Sequence, residues 1–395
     1  MTRQKNSIAA ALAALLLSAA PVLAQSGATR PRRVAPTQPT TQAPAPADTA
    51  STAAPPAGAA RTGTVAQAFA LYEQKQYDAA IRAARAVTDA DPKNFDGWKV
   101  AGFAEVALGK YAEGAADLQR ALDLQRAAKV EDPNTVRALA QAYTRVEKYA
   151  EALPLLVSAT AAGEPDANLL YFRGLAEVNT GKAADAERSF NAAVKADPKN
   201  TGSLFYLGRM AWERKDYAGA INWLNRATLA DATLAQAWTL LAYSYLNRGA
   251  AATGPKADAD YLAAVRASES LLKLKPNDEA ALNLNAQALV RAGQFVRAAT
   301  VLEKAAAGDA AKPETLYLLG FSHNRAKNYP RAVAALERAA AKAPDNVDIY
   351  RELGFAHEAS KQYAKALAAY EKGLQLAPSD AYFKESADRV RPFAK

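Results

Sequence analysis

From Leu316 the chain reads "LYLLGFSHNRAKNYPRAVAALERA" to Ala339. Apolar side chains recur there every three or four positions, the spacing of one face of an α-helix, and the pattern pauses just before Tyr329. The stretch therefore predicts two short amphipathic helices joined by a tight turn. Gly320 sits inside the first, where glycine costs about 1 kcal/mol relative to alanine. A residue so unfavourable is kept where a neighbouring helix comes too close for a larger side chain, so a small residue should recur at equivalent places. Pro330 opens the second helix, where its missing donor would be unpaired in any case.

The small residue does recur. With Tyr329 as an anchor, Gly320 lies nine before, Ala332 three after, Leu336 seven after and Pro344 fifteen after. Laid on Ala183, the same ruler finds Gly174, Ala186, Phe190 and Pro198. On Tyr217 it finds Gly208, Ala220 and Leu224, and on Tyr363 it finds Gly354, Ala366, Tyr370 and Pro378. The anchors Tyr77, Tyr111, Tyr149, Ala183, Tyr217, Tyr261, Phe295, Tyr329 and Tyr363 are separated by 34, 38, 34, 34, 44, 34, 34 and 34 residues. The expectation is that the glycine, replaced by Ala140, Ala242 and Ala286 in other units, faces the alanine three after the anchor, small against small.

Two intervals are long. Four extra residues around "DLQRAAKVEDPN" amount to about one helical turn and predict a lengthened helix. Ten extra residues before Tyr261, in "NRGAAATGPKADADY", predict a protruding loop near 250–259 between the two helices of one unit. After Pro378, "SDAYFKESADRVRPFAK" predicts one more amphipathic helix, covering the last exposed face of a stacked array. Runs of alternating polarity rich in β-branched residues are scarce, so no sheet is expected.

Trp98-x2-Ala101-Gly102, Leu204-x2-Leu207-Gly208, Trp238-x2-Leu241-Ala242-x2-Tyr245 and Leu316-x2-Leu319-Gly320 resemble the tetratricopeptide repeat, a 34-residue helix-turn-helix with the signature W-x2-L-G-x2-Y, A-x3-F and a terminal proline. The match runs from about Arg61 to Asp380. It implies an all-α fold, a right-handed α-solenoid of about nine helix-turn-helix repeats with a C-terminal capping helix. The expected organisation is a signal peptide at 1–24, a disordered linker at 25–62, the solenoid at 63–380 and the capping helix at 381–395. The resemblance specifies fold far better than function.

It also implies where a partner would sit. First helices of such repeats line an inner, concave wall, and the positions twelve, eight and five before each anchor form one stripe along it. Read there, the sequence supplies Lys99 and Phe103, then Arg137 with Gln141, then Tyr171. Further along come Phe205, Arg209 and Trp212, then Tyr243. The last two units contribute Tyr317 and Phe321, then Arg351 and Phe355. Rings interleaved with cations suit an extended or helical partner segment with apolar anchors and acidic groups. For any single ring, packing between neighbouring helices is the competing reading. The lysine-asparagine clamp with which some family members grip acidic chaperone tails is not reproduced, since Lys99 is followed one turn later by Phe103 and Arg137 by Gln141.

Composition narrows the function classes. Half the 395 residues are apolar, and alanine dominates that half, which suits many small, closely packed helices. Arg3 and Lys5 precede an apolar run from Ile8 to Ala20, and Val22-Leu23-Ala24 then presents small residues as a signal peptidase reads them, with cleavage expected before Gln25. The run is shorter than the roughly 20 residues a membrane span needs. There is no cysteine, which excludes disulfides, thiolate chemistry, sulfur-ligated metal and lipid attachment to a thiol. Residues 25–62, rich in Pro, Ala and Thr, bury too little apolar surface to order and are expected to form a tether. The formal charge is +9; removal of the signal leaves +7, and the arginine-bearing tether accounts for all but +4 of that. A basic balance that resides in a tail does not suggest nucleic acid.

Candidate chemistry is sparse. His323 and His357 stand one period apart, six before their anchors, where other units carry Tyr143 and Tyr245; they read as packing residues, without carboxylate or thiolate partners at metal-ligand spacing. "GAAATGPK" has the glycine spacing of a phosphate loop, but Pro255 replaces the lysine and no strand precedes it. Asp258 and Asp260 are expected in a loop or on a polar face. No catalytic residue, metal or cofactor is expected. The sequence thus points to an exported, non-enzymatic adaptor, periplasmic with secretion as the alternative, that binds segments of other envelope or secretion proteins and has no transmembrane segment after signal cleavage. The rival is a subunit binding an anionic polysaccharide or lipid head group through Arg30, Arg32, Arg33 and the concave arginines.

Overall fold

A computed structural model describes residues 64–161 and 166–394; the expected signal peptide and linker lie outside the described residues. Among the described residues there are nineteen α-helices and no strand. They come in pairs: α1 (Val65–Glu73) and α2 (Tyr77–Ala90), α3 (Phe95–Ala107) and α4 (Tyr111–Ala127), α5 (Pro133–Arg145) and α6 (Tyr149–Ala161), α7 (Ala167–Asn179) and α8 (Ala183–Ala196). Next are α9 (Thr201–Glu213) and α10 (Tyr217–Ala230), α11 (Ala235–Ala251) and α12 (Pro255–Leu274), α13 (Glu279–Arg291) and α14 (Phe295–Ala305). These belong to one compact unit, which ends at Ala310. A second unit, beginning at Ala311, holds α15 (Pro313–Arg325) and α16 (Tyr329–Lys342), α17 (Val347–Ala359) and α18 (Tyr363–Leu376), and α19 (Ala381–Val390).

Within the first unit each hairpin packs on the next, and each first helix also lies against the first helix of the following hairpin, α1 on α3, α3 on α5, α5 on α7 and so on to α13. The first helices thus form a continuous wall. In the second unit α15 meets α17 in the same way, and α19 packs on α18.

The sequence sets the helix ends. First helices other than α11 and α15 start at short polar caps: Asn94 Oδ1 accepts from Gly97 N–H at 2.9 Å, Asn200 Oδ1 from Ser203 N–H at 3.0 Å and Asp278 Oδ1 from Ala281 N–H at 2.8 Å. Except for α11, the first helices stop at a left-handed residue two before the anchor. After α1, Lys75 (φ 60°) donates its N–H to Tyr72 O and Gln76 donates to Leu71 O, both at 2.9 Å, a double closure that satisfies the orphan carbonyls of the last turn. Gly109, Gly181 and Gly293 hold this position in three hairpins, while Lys75, Glu147, Lys215, Lys327 and Lys361 hold it elsewhere.

The recurrent glycine lies against the small residue expected, a Cβ on Gly320 standing 3.2 Å from Ala332 O and one on Gly102 standing 3.1 Å from Gly114 O, but a large side chain comes closer still. A Cβ built on Gly208 would stand 2.6 Å from Leu224 Cγ, and one on Gly102 would stand 2.6 Å from Leu118 Cγ. Gly174 likewise meets Phe190, Gly320 meets Leu336 and Gly354 meets Tyr370. The glycine is a socket for the large side chain seven after the anchor, and Leu118, Phe190, Leu224, Leu336 and Tyr370 are all fully buried. A missing Cβ lets a large apolar group fill the space between two helices, which stabilises more than a contact between two small residues.

The two long intervals resolve differently. The four extra residues lengthen α4 to 17 residues, against 14 in α2, as expected. The ten residues before Tyr261 do not protrude as a loop. They extend α11 to 17 residues, against 13 in α9, and α12 to 20, against 14 in α10. Only residues 252–254 remain as a turn, with Gly254 at φ 61° and Pro255 opening α12. Alanine-rich flanks continue each helix, and Arg248 ties the extension by donating to Asp260 at 2.9 and 2.6 Å. Asp260, expected on a polar face or loop, is buried.

α19 occupies the place of the expected cap: Asp380 Oδ1 accepts from Tyr382 N–H at 3.0 Å, and Phe383 is wholly buried beside Tyr370 and Ala366. His323 and His357 are interior, and His357 Nδ1 lies 2.9 Å from Gln362 Oε1. Among the described residues no helix is long and apolar enough to cross a membrane, and no three potential ligands cluster as a metal site.

Candidate functional site

The wall of first helices opens into a groove of about 750 Å³ between α1, α3, α5 and α7. Four rings line it. Phe69 and Tyr72 come from α1, with centroids 6.2 Å apart; Phe103 from α3 stands 6.0 Å from Tyr72; Phe172 comes from α7. Their register follows from the repeat, since each residue sits at or beside the stripe of its own helix. Phe69 is 41% exposed, an unusual position for so large an apolar ring.

α5 supplies the charge. Arg137 projects into the groove half-buried, and its Nε is buried without a hydrogen-bond partner among the described residues. Arg145 lies over the rings of Tyr111 at 5.8 Å and Phe172 at 5.4 Å, held by aromatic faces. Neither guanidinium has a carboxylate partner among the described residues. Gln141 lies between them on the same helix. Asp166 borders the groove, but its Oδ1 caps α7, accepting from Asn168 N–H at 2.8 Å and Leu169 N–H at 3.1 Å.

Of the stripe residues read from sequence, the structure brings Phe103 and Arg137 into this groove, with Val106 and Gln141. The other stripe cations are neutralised. Lys99 Nζ lies 2.8 Å from Asp96 and 3.4 Å from Asp132. Arg209 pairs with Glu213 at 2.9 Å above the Tyr206 ring. Arg351 is shared between Asp348 and Asp380, each at 2.6 Å.

The remaining rings are largely committed to packing. Tyr171 joins Phe172 at 5.5 Å and Phe190 at 6.2 Å, and burial pushes its hydroxyl up to about 12. Phe205 stands edge-on to Tyr206 at 5.6 Å. Trp212 has its indole N–H buried without a partner among the described residues. Tyr243 is half-buried, and burial raises its hydroxyl above the ordinary tyrosine value. In the second unit Tyr317 and Phe321 are 7% and 4% exposed, with Arg325 stacked 4.4 Å over Phe321. Burial drives the Tyr317 hydroxyl far above its usual range. Phe355 stands edge-on to Tyr329 at 6.2 Å.

Among the rings and cations of the groove, sequence reading missed four. Phe69 and Tyr72 lie eight and five before Tyr77, on the same stripe counted in the first unit, so the ruler itself would have found them. Arg145 and Phe172 lie one position off the stripe. A groove between helices is wider than a line of equivalent positions, and no periodic rule marks its edges.

An array of two-helix units, each closed by a left-handed turn residue and five of them locked by a glycine socket, defines an all-α helical-hairpin repeat protein. The chain belongs to the tetratricopeptide repeat family, whose sequence profile matches residues 65–129, 137–201, 173–233 and 317–381, together more than half of its length. The profile of the anaphase-promoting complex, cyclosome, subunit 3, matches residues 258–339. No curated protein matches the chain. Among solved structures it is similar to the C-terminal part of a tetratricopeptide repeat protein from Cytophaga hutchinsonii, with 16% identity, a TM-score of 0.45 and coverage of 72% of this chain and 97% of that one. A tetratricopeptide repeat protein from Parabacteroides merdae has 17% identity, a TM-score of 0.41 and coverage of 66% and 98%. MamA from Desulfovibrio magneticus RS-1 has 20% identity, a TM-score of 0.40 and coverage of 46% and 97%.

Proposed function

We propose that this protein is a non-enzymatic scaffold of the cell envelope that holds a segment of a partner protein along its first-helix wall, in the groove between α1 and α7. The observation that carries this reading is the groove itself, about 750 Å³ of ring-lined space on a wall of rigid helices. Membership of a family of interaction modules supports a protein partner, and concave, aromatic-lined space on a rigid scaffold is what an extended segment or helix fills. Export rests on Arg3 and Lys5, the apolar run and the small residues ending at Ala24. The periplasm is the proposed compartment, and partners in envelope assembly or secretion follow from it.

Two experiments test this. Residues 1–62 fused to an enzyme that is active only after export should yield activity outside the cytoplasm; a fusion that stays cytoplasmic removes the envelope from the reading. Mature protein and a Phe103→Ala, Phe172→Ala variant are then used to capture proteins from envelope extract. Bands present with the first and lost with the second support groove docking, whereas identical captures place the partner elsewhere. Binding to an anionic glycan has less support, because Lys99, Arg209 and Arg351 already face carboxylates. Glycan retention that collapses with added salt would revive it.

A further inference from the structure

We infer that the groove between α1 and α7 is selective for acidic segments: a partner carboxylate is held by Arg137 and Arg145, while an adjacent apolar side chain enters the rings of Phe69, Tyr72 and Phe103. The inference rests on the scaffold reading and names the chemistry of its occupant.

Charge pairing along the wall carries it. Lys99, Arg209 and Arg351 are each matched by acids from their own or neighbouring helices. Arg137 and Arg145 break this rule, and both fall in the groove. The Arg137 Nε has no acceptor among the described residues and is itself closed to solvent, which costs about 1–3 kcal/mol, so a shift of the side chain that brings its guanidinium to an incoming oxygen would relieve that cost. Guanidinium geometry favours a planar, two-oxygen acceptor, and a side-chain carboxylate supplies one. Arg145, fixed over Phe172 and Tyr111, adds positive potential without an acid of its own. Beside these charges the rings offer apolar surface, Phe69 exposed and Tyr72 and Phe103 half-buried. A repeating polyanion needs a run of free cations, and among the described residues this groove offers two, both on α5. A protein segment with an acidic residue beside an apolar one satisfies both halves of the groove.

The test uses the mature full-length chain and an array of randomised dodecapeptides. Retained peptides should be enriched in Asp or Glu next to Leu, Ile or Phe. In solution, a labelled retained peptide should bind Arg137→Gln roughly tenfold more weakly than wild type, the loss expected for one charged hydrogen bond. The same peptide with its acid changed to the amide should lose a similar factor on wild type and little more on Arg137→Gln, because one interaction is removed twice. Arg137→Gln should melt no lower than wild type, since no internal partner is lost. Retention of peptides without acids, an amide effect independent of Arg137, or a lowered melting temperature each overturns the inference. Peptide binding that is indifferent to acid but sensitive to Phe103→Ala leaves the scaffold reading standing. Absence of any retained peptide removes both.

Discussion

Arg85, on α2, reaches between two buried carboxylates, Glu105 on α3 at 2.9 Å and Asp117 on α4 at 2.6 Å. One cation cannot neutralise both. Burial, and then the neighbouring Asp117, push Glu105 up to about 7, and burial raises Asp117 as well. The folded chain therefore holds the Glu105 proton more tightly than the unfolded chain. That contribution to stability is complete below about pH 4.5 and is lost as pH rises through about 7. Urea denaturation from pH 5 to pH 8 should show stability falling more steeply in wild type than in Glu105→Gln, the variant being favoured at pH 8 by on the order of 1–2 kcal/mol. A second residue-scale case is the left-handed turn. Lys215 holds φ 62° where other hairpins use glycine, so Lys215→Gly should raise stability by about 0.5–1 kcal/mol in the same assay. The glycine socket works in the opposite direction: Gly208→Val should cost roughly 2–3 kcal/mol, because Leu224 has nowhere to move.

At the scale of elements, the α11–α12 hairpin is the least regular of the array and is held by a specific pair. Asp260 is buried and takes both Arg248 nitrogens, so Asp260→Asn breaks the pair and should destabilise by about 2–3 kcal/mol, read as a lower urea midpoint. This hairpin also shows where local reading stops. Gly254 and Pro255 mark a turn, and the turn is there, but the residues on either side contain alanine and charged residues compatible with either loop or helix. Packing of α11 on α12, with Gly249 against Tyr261, decided for helix. By contrast, α4 was legible in advance, since four residues preserve the buried face and ten do not complete whole turns.

For the whole molecule, stacking leaves a terminal face in need of cover, and α19 supplies it with Phe383 beside Gly373 and Tyr370. A chain ending at Ser379 should lose the cooperative melting of its C-terminal unit and bind a hydrophobic dye, whereas an intact melt would show α19 to be dispensable. The period, and with it the paired helices outside the α11–α12 hairpin, was determined by the sequence alone, because it depends on neighbours within one or two hairpins at fixed spacing. Openness of the wall was a tertiary decision. Phe103 and Phe321 occupy the same register, yet one is half-buried in a groove and the other is 4% exposed. Arg137 and Arg351 both lie twelve before their anchors, yet one meets no acid among the described residues while the other meets Asp380, 29 residues along the chain. Periodicity assigns a side chain to a face; whether that face meets water, a ring or a carboxylate depends on what the next helix places opposite it, and identical positions in successive repeats have different neighbours.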